Sequence, residues 1–235
     1  MSQDDAEAVK WYRLAAEQGV AQAQYNLGGM YYEGRGVPQD YPEAVKWYRK
    51  ASDQGLALAQ NNLGLMYANS RGVRQDDAEA VKWYRLAAEH GDVAAQSNLG
   101  GMYAQGKSVP QDYAEAVRWF RKAAEKGYAR AQYNLGLMYT KGQGVPQDDA
   151  EAVKWWRLAA EQGHASAQNS LGIMYGQGQG VPQDYISALM WWNIAAAQGH
   201  EKAQKAREIA AKRMTPDQIA EAHRMAREWM AKHQQ

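Results

Sequence analysis

The 235-residue chain contains no cysteine. That removes disulfides, thiolate nucleophiles and thiolate metal sites, while leaving the redox compartment open. Net charge is almost absent as well: 27 Lys and Arg against 26 Asp and Glu give +1, with the two signs interspersed. Such a balance does not favour a polyanionic partner, so the expectation is no nucleic acid. Long apolar runs are missing too. The longest, Ala188 to Ala197, is broken by Asn193 and falls short of the roughly 20 residues a membrane-spanning helix needs. The expectation is therefore a soluble chain without a membrane partner. No cationic and apolar leader is visible at the start, and the compartment stays undetermined.

What is present is a ruler of tryptophans. Trp11, Trp47, Trp83, Trp119, Trp155 and Trp191 follow one another at a constant interval of 36 residues. Other columns keep the same beat: Leu27, Gly28, Met30 and Tyr31 recur as Leu63, Gly64, Met66 and Tyr67, then as Leu99, Gly100, Met102 and Tyr103. A fixed period of this length marks a stack of supersecondary units, each unable to bury its apolar face alone.

One unit, Val20 to Gly55, shows how the period is built. Ala23, Leu27, Met30 and Tyr31 stand at three- and four-residue steps and predict a helix over about Ala21 to Glu33. Gly28 costs about 1 kcal/mol relative to Ala inside that helix, which points to close approach of a neighbouring helix. The cluster Gly34-Arg35-Gly36-Val37-Pro38 must then be a turn. A second helix, about Tyr41 to Gln54, opens with Asp40 as N-cap and Glu43 three residues on, the pattern of a capping box. Asp4 with Glu7, Asp76 with Glu79, Asp112 with Glu115 and Asp148 with Glu151 repeat it. Carboxylate pairs in five copies read as caps, since catalysis would single out one pair. Ala44, Val45, Trp47, Tyr48, Ala51 and Ser52 form the expected buried stripe of this helix, and Gly55 closes it.

The unit Ala-Gln-x-Asn-Leu-Gly-x-Met-Tyr, Gly-x-Gly-Val-Pro-Gln-Asp, Glu-Ala-Val-Lys-Trp-Tyr-Arg resembles the Sel1-like repeat, a relative of the tetratricopeptide repeat. The resemblance covers Asp4 to about Gly199. It implies an all-α fold, an α/α solenoid in which antiparallel helix pairs stack as a right-handed superhelix with a concave inner surface. It also implies a non-catalytic scaffold that binds a protein or peptide. By analogy, the helix carrying Leu-Gly-x-x-Tyr should line the concave side. The organisation expected is a half-repeat helix over 1–19, five full repeats over 20–199 and divergent capping helices over 200–235, in a monomer. The half-repeat is either an N-terminal cap or the edge of an excised piece. Ser70 and Ser108 replace loop glycines and Arg74 a loop proline, so loop geometry is expected to differ at those two turns. Thr215 and Pro216 start a last helix, with Met214 facing Ile219 as a hydrophobic staple.

Comparing the repeats with one another separates packing from presentation. At about 100° per residue, the constant columns of the first helix occupy one arc of about 160°. The changing columns lie opposite, and they supply the candidate groove: Gln22, Tyr25, Tyr32, Asn61, Leu65, Asn69, Ser97, Gln105, Tyr133, Leu137, Lys141, Asn169 and Ile173. A surface freed from the repeat constraint yet carrying Tyr, Leu and Ile suits an extended peptide or a helix. The alternative is that these residues drift on a solvated face.

Other chemistry finds little support. His90, His164 and His200 sit beside Gly91, Gly163 and Gly199 and read as solvent-exposed turn residues, with no metal. The Gly-x-Gly loops follow no strand and precede no Lys-Ser/Thr, so they are helix breakers and no cofactor is expected. An enzyme reading, β-lactam binding or hydrolysis, survives only by association with cysteine-rich relatives. This chain has neither cysteine nor a Ser-x-x-Lys signature.

Overall fold

The computed structural model describes residues 3–233. Among them the backbone forms thirteen helices and no strand, and 75% of these residues are helical. Leading helices α2 (Ala21–Glu33), α4 (Ala57–Ala68), α6 (Val93–Gln105), α8 (Ala129–Lys141), α10 (Ala165–Gln177) and α12 (Glu201–Ala211) alternate with trailing ones. The trailing helices are α1 (Gln3–Glu17), α3 (Tyr41–Asp53), α5 (Asp77–Glu89), α7 (Tyr113–Glu125), α9 (Asp149–Glu161) and α11 (Tyr185–Ala197), and α13 (Pro216–His233) comes last. Two compact units result, divided between Trp119 and Phe120.

Within each unit, packing follows the columns. Leu27, Leu63 and Leu99 in the first unit and Leu135 and Leu171 in the second are completely buried. Gly28, Gly64, Gly136 and Gly172, each beside such a leucine, let a ring of the following trailing helix lie against the backbone. A Cβ on Gly28 would stand 2.8 Å from the Tyr48 ring, and one on Gly64 2.7 Å from that of Tyr84. In the first unit a tryptophan of the column seals one pair onto the helix before it: Trp47 packs with Val9, Ala16, Ala23, Leu27 and Met30. Trp11 departs from the expectation of a buried aromatic. It is 65% exposed, because no preceding pair lies over it among the described residues.

A buried glutamine column closes the joints. Gln24 Nε2 donates to the carbonyl of Ala16 at 3.1 Å, and Gln60, Gln132 and Gln168 do the same to Ser52, Ala124 and Ala160. Those carbonyls belong to the last turns of trailing helices, where intrahelical partners run out. The glutamine oxygen in turn accepts from Gln54, Gln162 or Gln198 at 2.7–2.8 Å, or faces His90 Nδ1 at 3.2 Å. The tyrosine column is also structural, since Arg13, Arg121 and Arg157 donate to the hydroxyls of Tyr31, Tyr139 and Tyr175 at 2.7–2.8 Å.

The caps form, although the box is half made. Asp40, Asp112 and Asp148 each accept from the backbone N–H of the glutamate three residues on, at 2.9 Å. The aspartate N–H groups, however, donate to tyrosine carbonyls nine residues earlier, as Asp40 does to Tyr31 at 2.9 Å. Freed from the box, Glu79 and Glu115 accept from the indole N–H of Trp83 and Trp119. Asp4 lies inside the first turn of α1 and is no N-cap. The reciprocal box forms between Thr215 and Gln218 at the start of α13.

One further expectation is corrected. Ser70 and Ser108 keep the left-handed turn, at φ +56° and +53°, so the loops retain their shape and the serines carry the backbone strain. At the far end, α13 lies against α11, with Trp229 edge-on to Trp191 at 5.9 Å, instead of taking the trailing position on α12. The reason is chemical: Arg207 and Glu208 stand where other copies have the Leu-Gly pair. A trailing helix would have to bury both charges there.

Candidate functional site

In the first unit a cavity of about 420 Å³ opens between α2 and α4. Tyr25, Tyr32 and Leu65, three of the candidate groove residues, line it together with Tyr12, Asn26, Gly29, Met30, Glu33, Arg35 and Asn62. Tyr48 of α3 belongs to the same wall. Its ring lies 5.7 Å from that of Tyr25, and burial pushes its hydroxyl pKa up to about 12. Tyr32 meets Tyr41 at 5.3 Å, and the Arg71 guanidinium stands 5.3 and 5.8 Å over these two rings. Arg35 is held by Asp5 at 2.8 Å and by Glu33 at 3.5 Å. The site is thus aromatic and amide-rich, with its charges paired at the rim.

The arc argument misplaces three candidates. Asn61, Ser97 and Asn169 are buried, at 7%, 2% and 8% exposure, and present little to a partner. Asn61 instead accepts from Asn98 Nδ2 at 3.0 Å, one repeat away. Gln22, Asn69, Gln105 and Lys141 are exposed. Gln22 donates to Asn26 at 3.0 Å, while Asn69 turns back to the carbonyl of Leu65 at 2.8 Å.

In the second unit Tyr133 and Leu137 are half-buried against the core around Trp156 and Met174. The Tyr133 ring stacks on His164 at 4.8 Å and its carbonyl accepts from Trp156 Nε1 at 3.0 Å. Truncating this pair would damage packing as well as any groove. Ile173 is 38% exposed and lines a separate recess of about 280 Å³ with Trp192 of α11 and Ile209 of α12.

The constant polar column Asn26, Asn62 was overlooked, although its signal was available. A polar residue repeated beside the buried leucine, yet only half-buried, is held there by something other than the core. Of the three turn histidines, His90 is exposed as expected, whereas His164 and His200 are half-buried. His164 Nδ1 accepts from the Ala167 N–H at 3.2 Å and His200 Nδ1 from that of Ala203 at 3.3 Å, so both are N-caps. Burial pulls the His164 pKa down. Among the described residues no group of three His, Asp or Glu side chains is placed to hold a metal, and no helix is long and apolar enough to cross a membrane.

Stacked helix pairs with buried repeat columns define a helical-repeat protein. The Sel1 repeat model matches residues 1–20, 21–56, 57–92, 93–128, 129–164 and 165–200, and the chain belongs to that family. Solved structures agree. A Sel1 repeat protein from Oxalobacter formigenes is 39% identical, covers 89% of this chain and 88% of its own length, and has a TM-score of 0.78. A protective antigen of uropathogenic Escherichia coli with an SLR fold is 34% identical over 97% of this chain, also at 0.78. The chain spans 57% of that antigen's length. A Sel1 repeat protein from Klebsiella pneumoniae is 25% identical over 86% of this chain and 99% of its own, at 0.57. No match to a curated protein was found. Sel1-repeat proteins generally mediate protein–protein interaction and are generally non-catalytic.

Proposed function

We propose that the chain is a scaffold that holds a peptide segment of a protein partner against the changing faces of its leading helices. The supporting observation is the cavity between α2 and α4, where tyrosine rings and the amides of Asn26 and Asn62 share one recess. Rings supply large contact area at low entropic cost, and an amide can pair with both the N–H and the C=O of an extended backbone. Tyr25, Tyr32 and Leu65 are the anchors of this reading, with Gln22, Asn69 and Gln105 as further exposed positions on the leading helices of the same unit.

The test fills the cavity without touching the core. A Cβ on Gly29 meets nothing closer than the Tyr48 hydroxyl at 3.8 Å. Gly29→Arg should therefore fold normally while blocking the recess. Peptides selected from a 16-residue display library on the wild-type chain should lose about tenfold or more in affinity for this variant. The control, Lys46→Ala with Lys82→Ala on the exposed faces of α3 and α5, should bind as the wild type does. Selected peptides that ignore Gly29→Arg but lose binding to the control would move the interface to the trailing helices.

A further inference from the structure

The recess in the second unit stands in the same repeat register as the tyrosine cavity in the first, and its chemistry is different. Ile173 and Ile209 occupy the column of Gly29 and Leu65, and Trp192 occupies that of Tyr48. Gly176 stands where the other copies have Tyr32, Ala68, Ala104 and Thr140. Its missing side chain admits the outer edge of the Trp192 ring, which lies 3.1 Å from where a Cβ would be, and this largely buried ring forms one wall of the recess. Ile173, Tyr185 and Ile209 remain 38%, 37% and 58% exposed around it. A recess of about 280 Å³ with these walls has room for a large apolar side chain.

The rim indicates what carries that side chain. Lys202, Lys205 and Ile209 follow at steps of three and four on α12 and form one stripe, and Arg213, just past the end of that helix, lines the recess beside Ile209. All four are exposed, and neither the two lysines nor Arg213 takes part in an ion pair among the described residues. No carboxylate lines the recess. A row of unpaired cations beside an apolar hole complements carboxylates flanking an apolar anchor, and the charges would steer association.

We infer that the α10–α12 face over Trp192 docks an acidic peptide segment through one bulky apolar side chain. This deepens the scaffold reading and rests on it. The probe is an acetylated, amidated, fluorescent hexapeptide, Asp-Glu-Leu-Phe-Glu-Asp, followed by polarisation. It should bind, and more weakly as salt rises. Probes with Ala-Ala at the centre, or with lysines replacing the acids, should be about tenfold weaker or worse. Ile209→Gln alters a largely exposed side chain, so it should leave the thermal melt unchanged and weaken the hexapeptide about tenfold, and Lys205→Glu with Arg213→Glu should do likewise.

Three results would overturn the inference: no binding of the hexapeptide, equal binding of the Ala-Ala probe, or indifference to Ile209→Gln. Binding of a thymidine oligonucleotide or of phosphatidylglycerol vesicles that competes with the hexapeptide and ignores Ile209→Gln would also overturn it, by making the stripe a site for polyanions. The library-selected peptides read the first unit through Gly29→Arg. Failure of the hexapeptide alone therefore refutes the pocket, whereas failure of both refutes the scaffold reading.

Discussion

Alanine at Gly64 and alanine at Gly101 should change stability in opposite directions. Both glycines lie inside leading helices of the first unit, where the helix itself prefers alanine by about 1 kcal/mol. At Gly101 nothing opposes that gain: the nearest atom to an added Cβ is Gln105 Nε2, at 4.0 Å. Gly101→Ala should stabilise by about 0.5–1 kcal/mol. At Gly64 the Cβ would stand 2.7 Å from two carbons of the Tyr84 ring and 3.3 Å from the Ala80 carbonyl oxygen. The optimum for a carbon pair is about 3.5–4.0 Å, so the ring must move by nearly an ångström. Tyr84 is only 3% exposed and belongs to the packed core with Leu99 and Trp119, which leaves it little room to do so. Overpacking of this kind costs about 1–3 kcal/mol and outweighs the helix gain. Urea titration followed by circular dichroism would give the two midpoints, compared at constant slope. Shifts of the same sign would refute the assignment of one column to packing and the next to open surface.

Two other tests follow from the second unit. Gln168→Leu keeps volume but leaves the Ala160 carbonyl without its partner in a buried joint and takes the acceptor from the exposed Gln198 at its edge, so it should destabilise by about 1–3 kcal/mol in the same titration. A loss within a few tenths of a kcal/mol would mean the glutamine column carries no joint. For His164, burial favours the neutral ring, so the unfolded chain takes up its proton first as pH falls from the ordinary value of 6.5. Its contribution should be complete above about pH 6.5 and decline below it, as the ring loses the lone pair that caps Ala167. His164→Asn keeps a capping acceptor without titrating. The difference in melting temperature between wild type and variant should therefore be flat above pH 6.5 and change below it, and a pH-independent difference would contradict the assignment.

The helix pairs, the turns and the core columns were legible in the sequence because every constraint is stated five times over. A leucine that never changes among neighbours that do is a packing position, and Gly-x-Gly-Val-Pro can only be a break. The caps were legible for the same reason, as were Tyr25, Tyr32 and Leu65 on the face that opens into a cavity. What tertiary structure decided is where two elements distant in sequence meet. Asn61 shares the changing arc with exposed Gln22, yet it is buried because Asn98, 37 residues on, comes to meet it. His164 looked like a free turn until the Tyr133 ring lay on it. Trp11 repeats a column that is buried elsewhere, and burial there depends on a preceding helix pair that a periodic pattern assumes without supplying. The recess over Trp192 needs three helices at once: Gly176 is only a small residue and Ile209 only an exposed one until α11 brings the ring between them. Periodicity reports what each copy does to its neighbours on average, and a site arises where one copy departs from that average.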